Sequence, residues 1–469
     1  MHVLYVHQNY PAQFGHIANH LVKHKGWKCS FVSNTPPGLS NGIEKIKYDL
    51  RGGATKQNHF CTRTFENTVW HCQGVYDALK ARPDVKPDLI VGHSGFGSTL
   101  FLRELYPDVP VVNFFEYYYR THDADSDMDF RRDLGWQTED IKYLRSRCRN
   151  AMILLDLQNC QVGYTPTQFQ KSRFPSEYDG KIRTIFDGID RGLYHGFNEV
   201  LRPALGVRGP RKLCGVDIPD GTKVLTYVSR GFESMRGFDI FMKAAKLITQ
   251  RMPDVQILVV GTDRVAYGGD ENHTDGKTFK QWVLEQNEYD LDRIKFVGRI
   301  PPDELSRLLA ATDLHVYLTV PFVLSWSMMD AMSCGAVVLA SDTAPVREMI
   351  THGQNGLLAN FFDPNDFADK ACAALNDIAG HRALGRAAEQ FIAERYSLDA
   401  VLPAMMNLYE EALQTQAGRE PPRQQNLLAP APLTPTQQRS PFSTRPAAQS
   451  RPDVVTGTAP PRGWSPFRG

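Results

Sequence analysis

Motifs that mark several common protein classes are missing from this sequence. Neither Gly-x-Gly-x-x-Gly nor a Walker loop occurs, so interpretations as a nicotinamide dehydrogenase or a P-loop NTPase lose their usual support. The eight cysteines are scattered, without a Cys-x-x-Cys pair, at positions 29, 61, 72, 148, 160, 214, 334 and 372. Without a signal peptide, such cysteines indicate reduced thiols rather than a disulfide framework.

Long apolar runs and an excess of one charge sign are missing too. No apolar stretch approaches the ~20 residues that a membrane span requires, and the first seven residues form a strand-like run without a cationic region. The chain has 53 Lys and Arg against 52 Asp and Glu, which argues against a dedicated nucleic-acid binder. We therefore expect a cytoplasmic protein without a nucleic-acid partner, and peripheral contact with the inner face of a membrane stays open.

What the sequence does contain is an alternation of short β-branched runs with longer helical patterns, which is typical of parallel βαβ units. The expected strands cover residues 2–7, 28–33, 89–93, 111–116, 159–165 and 181–186, then 222–229, 255–261, 293–298, 314–319 and 336–341. So many strands indicate two sheets. The predicted fold class is α/β, with Rossmann-like doubly wound domains at 1–204 and 205–395 and a Gly- and Pro-rich linker at 202–222.

The C-terminal part of the chain contains two segments of different composition. Residues 396–416 are expected to form a helix capped by Ser397. From 417 to 469 the composition shifts to Pro, Arg, Gln, Ser and Thr, with 11 of the 30 prolines and with seven arginines against two acids. Such a segment cannot bury enough apolar surface to offset its ordering entropy, so we predict a disordered tail.

The strongest candidate site follows the predicted strand at 222–229. Arg230 and Arg236 flank a short loop there, and an amphipathic helix begins directly after it. In open α/β sheets, ligands bind beyond the carboxyl ends of the strands, where helix N-termini also point. An arginine presents a fork of donors that suits phosphate oxygens. The pattern fits phosphate binding and, equally, the capping of surface carboxylates.

A second candidate junction covers residues 319–339. Pro321 ends a strand, Ser325 or Ser327 can cap the following helix, and Gly335 can end it. Asp330 lies in the first turns of this otherwise apolar helix. An acid there could hydrogen-bond ribose hydroxyls, as in dinucleotide-binding folds, or could simply compensate the helix dipole.

This second junction resembles the donor-binding half of the family-4 retaining glycosyltransferases, which have the GT-B fold. The resemblance continues in Ser341-Asp-Thr-Ala-Pro345-Val-Arg-Glu348 and Asn355-Gly356-Leu-Leu. Asp187-Gly188-Ile189-Asp190 is similar to the family's Asn-Gly-Ile/Val-Asp turn, and Phe296-Val-Gly298-Arg299 to its Phe-x-Gly strand end. The resemblance covers about residues 1–415 and implies that the helix at 396–416 crosses back to the first domain.

The family implies catalysis in a cleft between the domains, with a nucleotide-sugar donor held by the second domain. Arg230 and Arg236 match the basic pair that stabilises the leaving diphosphate, at a spacing one residue longer. Asp330 matches the second Glu of the family's Glu-x7-Glu motif and is expected to bind ribose. Gly298 and Arg299 belong to the implied donor site as well.

The first Glu of that motif is replaced by Phe322 in this chain. We expect the Phe322 ring to shape an apolar wall of the donor site. The backbone amides of Val323, Leu324 and Ser325, at the start of a helix, are then expected to hydrogen-bond the donor sugar.

Candidate residues of the first domain also follow strands. Glu116 occupies the place where many family members carry a His near the reacting sugar, which implies a polar or acid–base role. His93 is either a ligand contact or, as is more common for isolated histidines, a structural residue. The loop at 7–16, with Asn9 and Gly15, replaces the family's Gly-rich first loop and is expected to contact acceptor or donor phosphate.

Neither a metal nor a cofactor is expected. The acidic run at 123–129 lacks the pattern of a calcium loop, which requires Gly at its sixth position and Glu at its twelfth, where this chain has Met128 and Leu134. We interpret the run as a solvated loop near the acceptor side. The nucleotide-diphosphate sugar is a substrate, not a cofactor.

Three functions fit these residues. The first is a metal-independent retaining glycosyltransferase of the hexosyltransferase type, which moves a sugar from a nucleotide-diphosphate sugar to a hydroxyl of a glycan or lipid-linked acceptor in polysaccharide or glycoconjugate synthesis. The second, suggested by Phe322, is a catalytically silent GT-B relative that binds a nucleotide or glycan. The third is a nucleotide-sugar epimerase. The donor base, the sugar and the acceptor are not identified by the sequence.

Overall fold

The computed structural model describes the chain in five stretches, residues 1–95, 99–121, 130–136, 139–196 and 210–417. The acidic run at 123–129 lies outside these stretches, as do residues 202–209 of the predicted linker. The tail predicted at 417–469 lies outside them apart from its first residue.

The first domain is built on an eight-stranded sheet. Its strands, in chain order, are β1 (His2–Val6), β2 (Lys28–Ser33), β3 (Gly38–Ser40), β4 (Ile43–Lys47), β5 (Leu89–His93), β6 (Val111–Phe114), β7 (Val162–Thr165) and β8 (Ile182–Thr184). Their spatial order is β3-β4-β2-β1-β5-β6-β7-β8, and only the β3–β4 pair is antiparallel. The chain leaves β1 toward one edge and β5 toward the other, so the topological switch point lies between β1 and β5.

The second domain repeats this plan with six parallel strands. They follow the hairpin β9 (Arg211–Leu213) and β10 (Val216–Ile218), and are β11 (Lys223–Gly231), β12 (Val255–Thr262), β13 (Ile294–Gly298), β14 (Leu314–Tyr317), β15 (Val338–Ser341) and β16 (Leu357–Ala359). Their spatial order is β13-β12-β11-β14-β15-β16. The switch point of this sheet lies between β11 and β14.

Helices cover both faces of the two sheets. In the first domain they are α1 (Gly15–Lys25), α2 (Arg63–Lys80), α3 (Asp140–Arg149), α4 (Ala151–Asn159) and α5 (Gln168–Ser172). In the second they are α6 (Phe238–Arg251), α7 (Phe279–Glu285), α8 (Pro302–Ala311), α9 (Trp326–Ser333), α10 (Ala344–Arg347), α11 (Pro364–Asn376) and α12 (Ile378–Arg395). The last helix is α13 (Leu398–Ala417).

The predicted α/β class with two doubly wound domains is confirmed, and each expected strand is present. Strand β7 begins at Val162 rather than at residue 159, because α4 extends to Asn159. The short strands β3, β4 and β16 were not predicted. Within the predicted linker, residues 211–218 form a hairpin, β9–β10, that was not predicted; it turns around Cys214 and Gly215, both with positive φ.

The alternation of side chains along β1 explains why both faces of its sheet are covered. Val3 and Tyr5 pack with residues of α1 and α13, while Leu4 and Val6 pack with residues of α2 and α4. Helix α13 follows the second domain but packs on the first, where the hydroxyl of Tyr409 donates to the Tyr5 hydroxyl at 3.4 Å. Ser397 accepts the amide of Ala400 through Oγ, as the predicted cap requires.

A buried ion pair connects the two domains. Arg131, in the segment after β6, donates to both carboxylate oxygens of Asp239 in α6, at 3.0 and 2.8 Å. The side chains are 7% and 2% exposed. Nearby, the Trp136 ring stacks on His273 of the second domain at 4.7 Å between centroids. The first domain therefore contacts the second through polar as well as aromatic side chains.

Candidate active site

A small pocket lies at the switch point of the second sheet, which is where open α/β sheets bind ligands. Its walls come from the end of β11 and the following turn, the end of β14, the loop after β12 and the cap of α9. The lining residues are Tyr227, Val228, Ser229, Arg230, Arg236, Tyr267, Tyr317, Leu318 and Ser325. The structure therefore brings Arg230 and Arg236 together in one pocket.

Arg236 is buried and fixed by neutral groups. Its guanidinium donates to Thr319 Oγ1 at 2.6 Å, to Tyr317 Oη at 3.2 Å and to the carbonyl of Val323 at 3.1 Å. The Tyr267 ring centroid lies 5.1 Å from the guanidinium carbon, within cation–π range. Among the described residues no carboxylate hydrogen-bonds to Arg236, so its charge is available to an anionic ligand.

The turn that presents Arg236 depends on a glycine. Gly237 has a φ of 59°, and a Cβ there would lie 2.8 Å from the Leu318 side chain. Glycine adopts this left-handed conformation without steric cost, so α6 can begin directly after Arg236. The hydroxyl of Tyr227 donates to the Arg236 carbonyl at 2.8 Å and ties the turn to β11.

The loop after β12 closes one side of the pocket, and the sequence did not single it out. Glu233 is buried, and its Oε2 accepts the amides of Ala266, Tyr267 and Gly268 at 2.9, 2.8 and 3.1 Å. Three bonds to one oxygen fix the loop on the β11–α6 turn. This anchoring places the Tyr267 ring over Arg236.

Phe322 lies at the contact between the domains. Its ring is buried and meets Tyr117 of the first domain edge to face, 4.6 Å between centroids, and Tyr267 at 5.6 Å. The hydroxyl of Tyr117 donates to the carbonyl of Pro321 at 3.3 Å. Phe322 thus has aromatic neighbours from both domains.

The backbone after Phe322 is partly engaged within the protein. Val323 and Leu324 are buried, and the Val323 carbonyl accepts from Arg236. Ser325 caps α9 by accepting the amide of Ser327 at 3.3 Å, as predicted. Its own amide donates to Tyr317 Oη at 3.0 Å, so a contact of this amide with the donor sugar, which stays a prediction, would replace that hydrogen bond.

The remaining donor-side candidates lie around the same sheet. Asp330 is buried in α9, and burial raises the pKa of its carboxyl well above the usual value. Gly298 ends β13 with a φ of 73° and open space where a side chain would be. Arg299 follows it and is exposed.

Two carboxyl groups of the first domain face this region. Burial raises the pKa of Glu116 to about 7, against the lowering effect of Arg230 and Arg236. Burial also raises the pKa of Asp187 to about 7; a hydrogen bond from Trp326 Nε1 to Oδ2 at 3.0 Å opposes the rise, and the charge of Glu116 adds to it. Oδ1 of Asp187 is buried without a hydrogen-bond partner among the described residues. No role in the site was predicted for Asp187 from the sequence.

The switch point of the first sheet holds two histidines. The rings of His7 and His93, at the ends of β1 and β5, lie 5.1 Å apart between centroids. Burial lowers the pKa of His7 to about 4 and that of His93 well below the usual value, so both are neutral at pH 7. The Asn9 amide donates to His7 Nδ1 at 2.9 Å. Gly15 begins α1, and a Cβ there would lie 2.9 Å from Pro11.

The described residues contain neither a metal-binding cluster nor a membrane-spanning helix. No group of three or more His, Cys, Asp or Glu in those five stretches is placed to hold a metal ion. No described helix is both long enough and apolar enough to cross a membrane.

Two family profiles match the chain, one on each sheet. The profile of the glycosyl transferase family 4 group matches residues 25–193, and that of glycosyl transferases group 1 matches residues 222–377. N-acetyl-alpha-D-glucosaminyl L-malate synthase of Bacillus anthracis is 26% identical over 233 residues, which are 50% of this chain and 54% of that protein. The chain spans about half the length of the first curated relatives it matches.

Solved structures resemble almost the whole described chain. Sucrose-phosphate synthase from Thermosynechococcus elongatus has a TM-score of 0.63 at 18% identity, covering 88% of this chain and 99% of its own. Anabaena HepE in complex with UDP-glucose has a TM-score of 0.60 at 16% identity, covering 87% and 99%. At these identities the likeness shows a shared fold.

Proposed function

Because the chain belongs to the group 1, family 4 glycosyltransferases and has their GT-B fold, we propose that it moves a hexose from a nucleotide-diphosphate sugar to a hydroxyl group of a glycan or lipid-linked acceptor, with retention of anomeric configuration. The UDP-glucose bound to HepE supports a donor of this class. We assign the reaction to polysaccharide or glycoconjugate synthesis in the cytoplasm.

The pocket that contains Arg230 and Arg236 is the observation that carries this proposal. As the bond between the anomeric carbon and the diphosphate oxygen breaks, negative charge grows on the leaving group. Arg236 is held rigidly by Thr319, Tyr317 and the Val323 carbonyl, so it needs little reorganisation to receive that charge. Hydrogen-bond donors that are fixed in this way stabilise the transition state more than the ground state. The two arginines supply the cationic charge, which is why we propose a metal-independent reaction.

We assign the acceptor side of the reaction to Glu116. Its carboxyl is close enough to both arginines for their charges to lower its pKa. In its ionised form it can accept a hydrogen bond from the attacking hydroxyl group. A group with a pKa near the working pH can exchange a proton during each turnover.

A catalytically silent, ligand-binding protein is the second candidate, and Phe322 favours it. The Phe322 ring occupies the position of the first Glu of the family motif and packs against Tyr117 and Tyr267. An apolar ring at that position cannot accept a hydrogen bond from the donor sugar. An active enzyme would then hold the sugar through other groups. The two candidates differ in whether nucleoside diphosphate is released.

The deciding experiment incubates the full chain with UDP-, GDP-, ADP- and dTDP-sugars, with and without hydroxyl acceptors, and measures nucleoside diphosphate release. Acceptor-dependent release with retained anomeric configuration, read by NMR, supports the transferase. Donor binding without release supports the silent protein. Conversion of the donor sugar without acceptor and without net transfer would indicate an epimerase.

A further inference from the structure

Three arginines follow the ends of three neighbouring strands. Arg230 lies at the end of β11, Arg264 follows β12 and Arg299 follows β13. The strand ends lie side by side there, because Gly231 pairs with Thr262 and Val260 pairs with Gly298, each just after an irregularity in its ladder. Adjacent strands lie about 4.8 Å apart, so long side chains from these three positions can reach one ligand.

Arg264 is packed directly on the strand that carries Arg230. Its carbonyl oxygen lies 2.4 Å from the position of a Cβ on Gly231. The carbonyl of Arg230 in turn accepts the hydroxyl of Thr262 at 2.7 Å, and the amide of Arg264 donates to the Thr262 carbonyl at 2.9 Å. These contacts fix the backbone of Arg264 beside the candidate diphosphate site.

Within the described residues, no ion pair neutralises the guanidinium of Arg264. Its buried Nε has no hydrogen-bond partner in that part of the chain. Burial lowers the pKa of Arg264, and the charges of Arg230 and Arg299 lower it further, while Glu233 and Tyr267 oppose this. Oε2 of Glu233 accepts three backbone amides, and its buried Oε1 has no hydrogen-bond partner among the described residues, so Glu233 does not hydrogen-bond Arg264 there.

Like charges gathered in a partly buried place repel one another unless an anion binds among them. A diphosphate offers several acceptor oxygens and more negative charge than a monophosphate, and guanidinium groups bind such oxygens in pairs. We propose that Arg264 is a further donor-binding residue, which contacts the diphosphate of the nucleotide together with Arg230. This inference rests on the proposed function, since it assumes a nucleotide-diphosphate donor in the same pocket.

Two consequences separate this role from a purely structural one. Replacing Arg264 should weaken the binding of a nucleoside diphosphate more than that of the matching nucleoside. The same replacement should leave the ligand-free protein at least as stable as the wild type, because it removes a repulsive charge and no hydrogen bond from the guanidinium to a described residue.

Isothermal titration calorimetry with UDP, GDP, ADP and dTDP first identifies the nucleoside diphosphate that wild-type protein binds. Arg264→Ala and Arg264→Lys are then compared with it, using the diphosphate, the monophosphate and the nucleoside. Arg251→Ala is the matched control, because it removes the same charge from the far end of α6, where Arg251 pairs with Asp369. We expect Arg264→Ala to weaken diphosphate binding by about tenfold to a hundredfold, as for loss of hydrogen bonds to charged groups. Arg264→Lys should recover part of the loss, and the control should bind like wild type.

Other outcomes contradict the inference in distinguishable ways. If wild type binds a diphosphate and Arg264→Ala binds it equally well, the inference is wrong and the proposed function stands. Equal weakening for diphosphate and nucleoside would place Arg264 at the base or ribose. A lowered melting temperature of ligand-free Arg264→Ala, relative to wild type, would show a structural role. Failure of wild type to bind any of the four diphosphates would contradict the inference and the proposed function together.

Discussion

Tyr117 of the first domain and Phe322 of the second meet edge to face, with 4.6 Å between their ring centroids. The contact lies beside the pocket that holds Arg236, because the Tyr267 ring touches both Phe322 and the Arg236 guanidinium. The residue that departs most from the family pattern is therefore an integrated part of the domain contact. Such packing indicates a site built around an aromatic ring at position 322.

Phe322→Glu should lower transferase activity on the native donor. The substitution buries a carboxylate between Tyr117 and Tyr267. An unpaired charge there costs roughly several kcal/mol unless it is solvated or protonated. Phe322→Leu, which keeps the site apolar, is the matched control and should retain more activity. Initial rates with the identified donor measure the effect. A gain of activity in Phe322→Glu would mean that the natural protein is an enzyme that lost its glutamate.

Breaking the Arg131–Asp239 pair should destabilise the protein. Asp239→Asn leaves Arg131 with Asp133 as a remaining carboxylate partner, at 2.9 and 3.0 Å. We therefore expect a loss of about 1.5–3 kcal/mol, as for hydrogen bonds to charged groups. Urea unfolding followed by tryptophan fluorescence measures the loss. The double variant Arg131→Met/Asp239→Leu should recover much of it, since it removes both buried charges and leaves only the partly exposed carboxylate of Asp133 without its partner. A loss below about 1 kcal/mol in Asp239→Asn would show that water screens the pair.

Binding of a nucleoside diphosphate should weaken as pH rises from 6 to 8. Because the pKa of Glu116 is raised to about 7, its carboxyl is mostly neutral below that pH and negative above it. A bound diphosphate adds negative charge nearby, so it raises this pKa further and binding takes up a proton. If the diphosphate raises the pKa of Glu116 by about one unit, the affinity for the diphosphate changes by at most roughly tenfold.

Calorimetry in buffers of different ionisation enthalpy counts the protons taken up. Glu116→Gln should bind with less proton uptake and a flatter pH dependence, and ionisation of the nucleotide itself cancels in the comparison. Asp187→Asn tests whether the second carboxyl contributes. Equal proton uptake by wild type and both variants would show that neither carboxyl faces the phosphate.

The two-domain fold could be predicted from sequence because its strands are buried on both faces. The run at β12 is mostly apolar and buried except at its last residue, a pattern typical of parallel strands that needs no reference to distant residues. The strands β3 and β16 have only three residues each, too few for a pattern. The hairpin β9–β10 was missed for the same reason, and it owes its position partly to the burial of Ile218 in the second domain.

The site could be predicted only where local spacing marks it. Arg230 and Arg236 lie at a strand-to-helix junction, and that junction is visible in the sequence. Glu233, which anchors Ala266 to Gly268, acts on residues 33 to 35 positions away, and no motif marks such a contact. The amide of Ser325 was expected to be available, but the hydroxyl of Tyr317, eight residues earlier, accepts it after folding.

Arg236 gives the most direct test of the central claim, that its pocket stabilises the leaving diphosphate. Single-turnover rates of sugar transfer are measured for wild type, Arg236→Lys and Arg236→Ala with the identified donor, and melting temperatures are recorded because Arg236 also satisfies the Val323 carbonyl. The account predicts that folded Arg236→Ala is slower by on the order of a hundredfold or more, with Arg236→Lys between it and wild type. Folded Arg236→Ala protein that transfers sugar at near wild-type rate would contradict the account.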